Sequence, residues 1–229
     1  MSRHLEIEIE RLNKRILTMG EAVVEAIQKA LQALNERRAE LAREVMEGDH
    51  RIDSAEVEVE EECLKLLALY QPVAEDLRFI AAVMKINSDM ERIGDEAANI
   101  AGHALFLAGQ DPIPVPPRLK DLSEASMRMV RESLAAFVKG DAEASRRICA
   151  EDDEADQYNR EVINTVWKMM SAEPQTVERA THLFSVSRHL ERIADHATNI
   201  AEDVVYMVEG RIIRHGAGLS PPKPETLSS

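Results

Sequence analysis

The chain is 229 residues long, 45% apolar but only 3% aromatic, with a net charge of −14 and a pI near 5.0. That length suffices for one or two domains with real cores, and the shortage of aromatics and glycine shifts the balance from sheets towards helices. The acidic excess, with no basic stripe, excludes an ordinary nucleic-acid binder and favours cations or basic protein surfaces as partners.

In chain order, Leu5, Ile9, Leu12, Ile16, Met19, Val23, Ala26, Ala30 and Leu34 recur at helical spacing. They predict one long amphipathic helix that breaks near Asn35–Arg38. A second helix is expected from about Ala39 to Leu69 through Leu41, Val45, Ile52, Val59, Cys63 and Leu66, with Gly48 as its weak point. Gln71-Pro72 stops that helix and restarts a third, which ends around Leu107 to Gly109. Asp111-Pro-Ile-Pro-Val-Pro-Pro117 cannot be helical and reads as an extended linker. The second half repeats the plan, with helices over Leu119–Lys139, Ala142–Met170 and from Glu173-Pro174 to about Arg211. The expected fold is all-α, with six long helices in two tandem, sequence-related three-helix bundles. The bundles occupy residues 1–110 and 119–215, joined by a Pro-rich linker at 111–118 and followed by a disordered polar tail at 216–229.

The two cysteines, Cys63 and Cys149, lie inside helical patterns and read as buried thiols of a reducing cytosol. The N-terminus lacks a signal-like apolar region, and no apolar run approaches the ~20 residues a bilayer requires. A soluble cytoplasmic protein is expected. No Gly-rich phosphate loop, nucleophile elbow or Cys/His zinc spacing marks it as an enzyme.

The most specific feature is a repeated segment: Glu91-Arg-Ile-Gly-Asp95-Glu-Ala-Ala-Asn99-Ile-Ala101 and Glu191-Arg-Ile-Ala-Asp195-His-Ala-Thr-Asn199-Ile-Ala201. Eight of the eleven positions agree, and the matching Glu, Asp and Asn stand four residues apart, on one side of a helix. A slide of 103 residues also brings Asp49 onto Asp152, Asp53 onto Asp156 and Val59 onto Val162. Asp53 lies 19 residues before Pro72 and Glu91 lies 19 after it. At 1.5 Å per residue both stand roughly 28 Å from the turn, level across an antiparallel helix pair. The second half keeps the register, with Asp156 18 residues before Pro174 and Glu191 17 after it. Acidic pairs at this spacing are common on solvated helix faces, but four converging carboxylates repel one another unless a cation intervenes. Oxygen-only ligation suits hard ions such as Mg²⁺, Mn²⁺, Ca²⁺ or iron. The candidate metal ligands are Asp49, Asp53, Glu91 and Asp95 in the first half and Asp152, Asp156, Glu191 and Asp195 in the second. Asn99 and Asn199 add a neutral oxygen one turn further on, and Asp153 leaves the choice beside Asp152 open. His189 and His196 flank the second segment where the first has Asp89 and Glu96, and they read as optional surface residues. Glu47-Gly-Asp-His50 has the Glu-x-x-His spacing of di-iron bundles, but the second half does not repeat it.

The paired Glu-Arg-Ile-x-Asp-x-Ala-x-Asn-Ile-Ala segments, each ending a three-helix unit, resemble the PhoU family of bacterial phosphate-transport accessory and regulatory proteins. The resemblance covers residues 4 to 211. It implies two three-helix bundles and two acidic clusters that hold multinuclear metal ions, iron or zinc among them, or Mg²⁺ and Mn²⁺. It implies action with a Pst-type phosphate transporter ATPase and a PhoR-type sensor kinase, a homodimer, no membrane span, and no catalysis. The alternative class is a carboxylate-bridged metal-storage or oxidase bundle of ferritin-like type.

Overall fold

The structure, a computed structural model, describes residues 3–213, so the expected tail at 216–229 lies outside the described residues. The helices are α1 (Arg3–Glu36), α2 (Ala39–Gly48), α3 (His50–Tyr70), α4 (Ala74–Ala108), α5 (Pro117–Lys139), α6 (Ala142–Ala172) and α7 (Val177–Glu209). A single 3₁₀ turn, Pro174–Thr176, precedes α7. Six helical rods result, because α2 and α3 are parts of one rod interrupted at Asp49. Asp49 itself keeps helical angles, φ −56° and ψ −42°. Among the described residues no helix is long and apolar enough to cross a membrane.

The stops follow from local chemistry. Gln71 ends α3 in the left-handed region at φ 47°, and Pro72 bars continuation. Gly140 closes α5 at φ 61°, a conformation that a Cβ disfavours, and the next residue caps α6. The Asp141 side chain accepts from Ala144 N at 2.8 Å. Pro117 already opens α5 at its first turn, two residues before the expected helix start at Leu119, because the missing N–H costs a helix nothing there.

α1 packs on α4 and on the α2–α3 rod, while α5, α6 and α7 pack on one another. The two units are not separate beads. α4 and α7 lie against each other along their lengths, and one continuous core runs through both, from Leu12, Ile16 and Met19 through Ile86, Met90 and Ile93 to Leu190, Ile193 and Ile200. Cys63 is buried and Cys149 half-buried; both are free thiols, pushed up to about 12 chiefly by burial.

The α4–α7 seam is antiparallel. Asp89 meets His196, Glu96 meets His189 and His103 meets His182, so a step of seven along α4 is matched by a step of seven back along α7. His196 Nδ1 is 2.8 Å from Asp89 Oδ1, and His189 Nδ1 is 2.5 Å from Glu96 Oε2. Arg192 Nη1 holds the other Glu96 oxygen at 2.9 Å, and Lys85 Nζ reaches the buried Asp203 at 3.0 Å. His189 and His196 are therefore not optional surface groups. His196 is only 7% exposed, and each ring is the partner of an acid on the other repeat.

α3 and α4 come close at Gly94. A Cβ there would lie 3.0 Å from Ile52 Cδ1 and 3.1 Å from its Cγ2. At the matching positions the second half has Ala194 and Ala155, both buried, trading bulk from one helix to the other. Gly94→Val adds three carbons where Ile52 already fills the space. We expect a loss of about 1–3 kcal/mol in urea unfolding, while the smaller Gly94→Ala has a milder effect.

Candidate metal centre

The turn at Gln71–Val73 returns α4 antiparallel to α3, and Asn87 fixes the register by donating to Glu56 O at 2.8 Å. One rod contributes Asp49 at its interruption and Asp53 one turn on, and the other contributes Asp95. Ligand oxygens of Asp49, Asp53 and Asp95 lie within 4.8 Å of one another, with Asp49 half-buried and the other two exposed. Glu91 stands one turn before Asp95 on α4. Burial raises its pKa first, and the charges of Asp95, Glu56 and Asp53 add to that. Asp49 and Asp95 are raised for the same reasons, burial before neighbouring charge. Glu56, which also feels Asp53, belongs to this edge too. Sequence comparison missed it because the matching position of the second half is Asn159.

The second set stands at the matching positions of α6 and α7 but, among the described residues, its ligand oxygens do not converge as closely as those of the first. Asp152 accepts from Thr198 Oγ1 at 3.2 Å across the α6–α7 groove, while Asp153 is exposed, which settles which of the two faces α7. Arg160 lies 3.3 Å from Asp156, and Arg188 lies 2.8 Å from Glu191. Glu191 Oε2 is buried without a hydrogen-bond partner among the described residues. Asp195 is raised to about 6, first by burial and then by Glu191, Asp152 and Asp156, although its side chain still reaches solvent.

The asparagines have different surroundings in the two halves. Asn99 is exposed. Asn199 donates to Asp89 Oδ1 at 3.2 Å and so serves the α4–α7 seam. Each step of four residues turns about 40° around a helix, so the third rung is already about 80° from the first. Glu47 and His50 make no inward pair: His50 is exposed, and its Nδ1 lies 2.5 Å from Glu47 O.

An all-oxygen set of three carboxylates from two rods suits a hard cation, and an orphaned buried oxygen on Glu191 fits a missing positive partner at the second cluster. Without a cation, neighbouring like charges add to burial in holding the pKa values of Asp49 and Asp95 up.

The sequence model described as "PhoU domain" matches residues 16–104 and 119–204, once in each half. The chain is 41% identical over 208 residues to the phosphate-specific transport system accessory protein PhoU homolog of Aquifex aeolicus, covering 91% of this chain and 94% of that protein. The crystal structure of PhoU from Pseudomonas aeruginosa superposes with a TM-score of 0.86 at 34% identity, covering 90% of this chain and 99% of that one. The phosphate transport system regulatory protein PhoU from Streptococcus pneumoniae gives 0.85 at 31%, covering 91% and 98%.

The raised Asp195 predicts a pH dependence. Its folded pKa, about 6, lies above the unfolded value near ~3.9, so the folded chain holds the extra proton between these values. That contribution to stability is present below the unfolded value and lost as pH rises through about 6. In chelator-treated protein, Asp195→Asn should therefore raise the melting temperature at pH 7 and change it little at pH 4. Equal shifts at both pH values would contradict the assignment.

Proposed function

The chain belongs to the PhoU family, and from that membership we propose that it is a non-enzymatic adaptor in the control of phosphate uptake. A role in regulating phosphate uptake follows from relatives named as accessory proteins of phosphate transport across nearly the full chain. The single observation that carries the reading is the double family match: each matched segment brackets one acidic cluster, Asp49 to Asp95 and Asp152 to Asp195.

In the finer reading, the protein works in the cytoplasm as a homodimer. It couples the ATPase of a Pst-type phosphate transporter to a PhoR-type sensor kinase and silences the phosphate-starvation response when phosphate is ample. Its net charge of −14 supports docking on basic patches of those partners, where complementary potential sets encounter rate and specificity. Metal ions at the acidic clusters would offset the repulsion described above. Asp49, Asp53, Glu91 and Asp95 would hold one set, and Asp152, Asp156, Glu191 and Asp195 the other. Iron, zinc, Mg²⁺ and Mn²⁺ all remain within the chemistry of carboxylate ligands. The ferritin-like alternative needs inward-facing Glu and His ligands in a bundle core. Here the acids face outward grooves, and His50 points away, so that reading is set aside.

The two clusters differ in a way that metal analysis can read. The second already has Arg160 and Arg188 against its acids, whereas no ion pair is formed by Asp49, Asp53 or Asp95 among the described residues. The first cluster should bind the tighter ion. Asp53→Asn with Asp95→Asn should abolish the tighter Mn²⁺ phase in calorimetry and leave the weaker one. An unchanged titration in that folded variant would show the first groove to be a solvated face.

In cells, deletion of the gene should leave alkaline phosphatase and the other starvation outputs switched on in ample phosphate, and the wild-type chain should restore silence. If deletion cells without a second copy kept these outputs off, the adaptor reading would fail.

A further inference from the structure

The histidines at one end of the α4–α7 seam form a chain of contacts that neither acidic cluster uses. Glu96 Oε2 holds His189 Nδ1 at 2.5 Å, and His189 Nε2 lies 3.3 Å from His103 Nε2. His103 Nδ1 in turn lies 2.8 Å from His182 Nδ1. Phe106 stacks on the His182 ring, with centroids 3.8 Å apart and planes 7° apart, and so fixes its orientation. At the matching end of the seam, the counterpart of His103 is Asp203, held by Lys85. The histidine chain thus belongs to one end only.

We propose that His103 and His189 bind a single divalent transition ion of the zinc class through their Nε2 atoms, at a site separate from the acidic clusters. Neighbouring ligands on a tetrahedral ion with Zn–N bonds of about 2.0–2.1 Å stand about 3.3 Å apart, which is the separation these two nitrogens have. Each ring also has its far nitrogen held, as metal-bound imidazoles require. Glu96 takes the Nδ1–H of His189, and His182 Nδ1 can accept the Nδ1–H of His103. Glu96 is itself 3% exposed and clamped by Arg192, so the positioning groups are fixed before any ion arrives.

Without an ion, one of the facing Nε2 atoms must carry a proton for the other to accept. With an ion, both Nε2 atoms present lone pairs, His103 carries its proton on Nδ1, and His182 shifts its own to Nε2. No proton need leave the cluster. His103 is also held neutral well below pH 7, its pKa lowered to about 4 by burial and then by the neighbouring rings, which leaves a lone pair available for ligation. His103 and His189 are half-buried, so the remaining coordination positions are open to water or a small donor.

Imidazole ligands select zinc, copper or nickel, whereas the acidic clusters favour hard ions. A large excess of Mg²⁺ therefore separates the two. The test is calorimetric titration of the full chain with Zn²⁺ in that excess, with ¹⁵N-histidine spectra recorded alongside. A single zinc ion should bind. His103→Gln or His189→Gln should weaken it more than tenfold. Glu96→Gln, which alters only a positioning residue, should weaken it by about tenfold without changing the stoichiometry. Asp53→Asn with Asp95→Asn should leave it unchanged, so failure of the acidic-cluster reading and failure of this one are distinguishable. In the wild-type spectra, the Nε2 signals of His103 and His189 should shift together, and the His103 proton should move to Nδ1. Unaltered zinc binding in a folded His103→Gln/His189→Gln variant would overturn the proposal. So would the absence of zinc binding above Mg²⁺, or Nε2 signals that stand still while zinc binds. The spectra need only wild-type protein, so a variant that fails to fold leaves the test intact.

Discussion

A carboxylate taken out of water costs several kcal/mol unless an opposite charge or a set of donors offsets it. That constraint organises the helices at the centre of the molecule. α4 and α7 must lie together, because their apolar stripes form the middle of one core. Both also carry acids on the flanks of those stripes. At the seam the acids are met by imidazole, guanidinium and ammonium groups: Asp89 by His196, Glu96 by His189 and Arg192, Asp203 by Lys85. Glu96 shows which effect prevails. Burial opposes its charge, yet the His189 ring and the Arg192 guanidinium together hold its pKa below the ordinary carboxylate value.

On the outer grooves the same constraint is met only in part. Thr198, Arg160 and Arg188 serve the second cluster, while the first leaves three acids facing one another at the interruption of the α2–α3 rod. Two copies of one motif thus carry different electrostatic loads. The difference comes from residues around the motif: Arg188, three residues before Glu191, stands where the first half has Ser88.

The six rods and their stops were legible in the sequence because periodicity, proline and glycine act locally, and the ends fall within a few residues of the expected positions. The acidic pairs were legible because a four-residue spacing fixes a face. The same spacing carried one rung further does not show that Asn199 turns to Asp89 on the neighbouring repeat. The seam was not legible at all. Comparing the repeats sets Asp89 beside His189 and Glu96 beside His196, which makes the histidines look like drift. The antiparallel packing instead brings Asp89 to His196 and Glu96 to His189, positions that no repeat alignment places together. The fusion of the two bundles into one core was equally hidden, since apolar stripes do not announce which neighbour they face.

The seam pairs also bear on how such a chain can change over generations. Two first-half helices laid antiparallel in this register would set Asp89 against Glu96, acid to acid. Two second-half helices would set His189 against His196. Only the mixed pairing satisfies both sites. If the halves descend from one shorter ancestor that paired with itself, the split into an acidic copy and an imidazole copy closed that route. Either half would need an exchange at one of its two positions, Glu96→His in the first or His189→Asp in the second, before both sites of such a self-pair were matched. As the sequence stands, the two halves meet at this seam as complements and not as copies, each supplying what the other lacks.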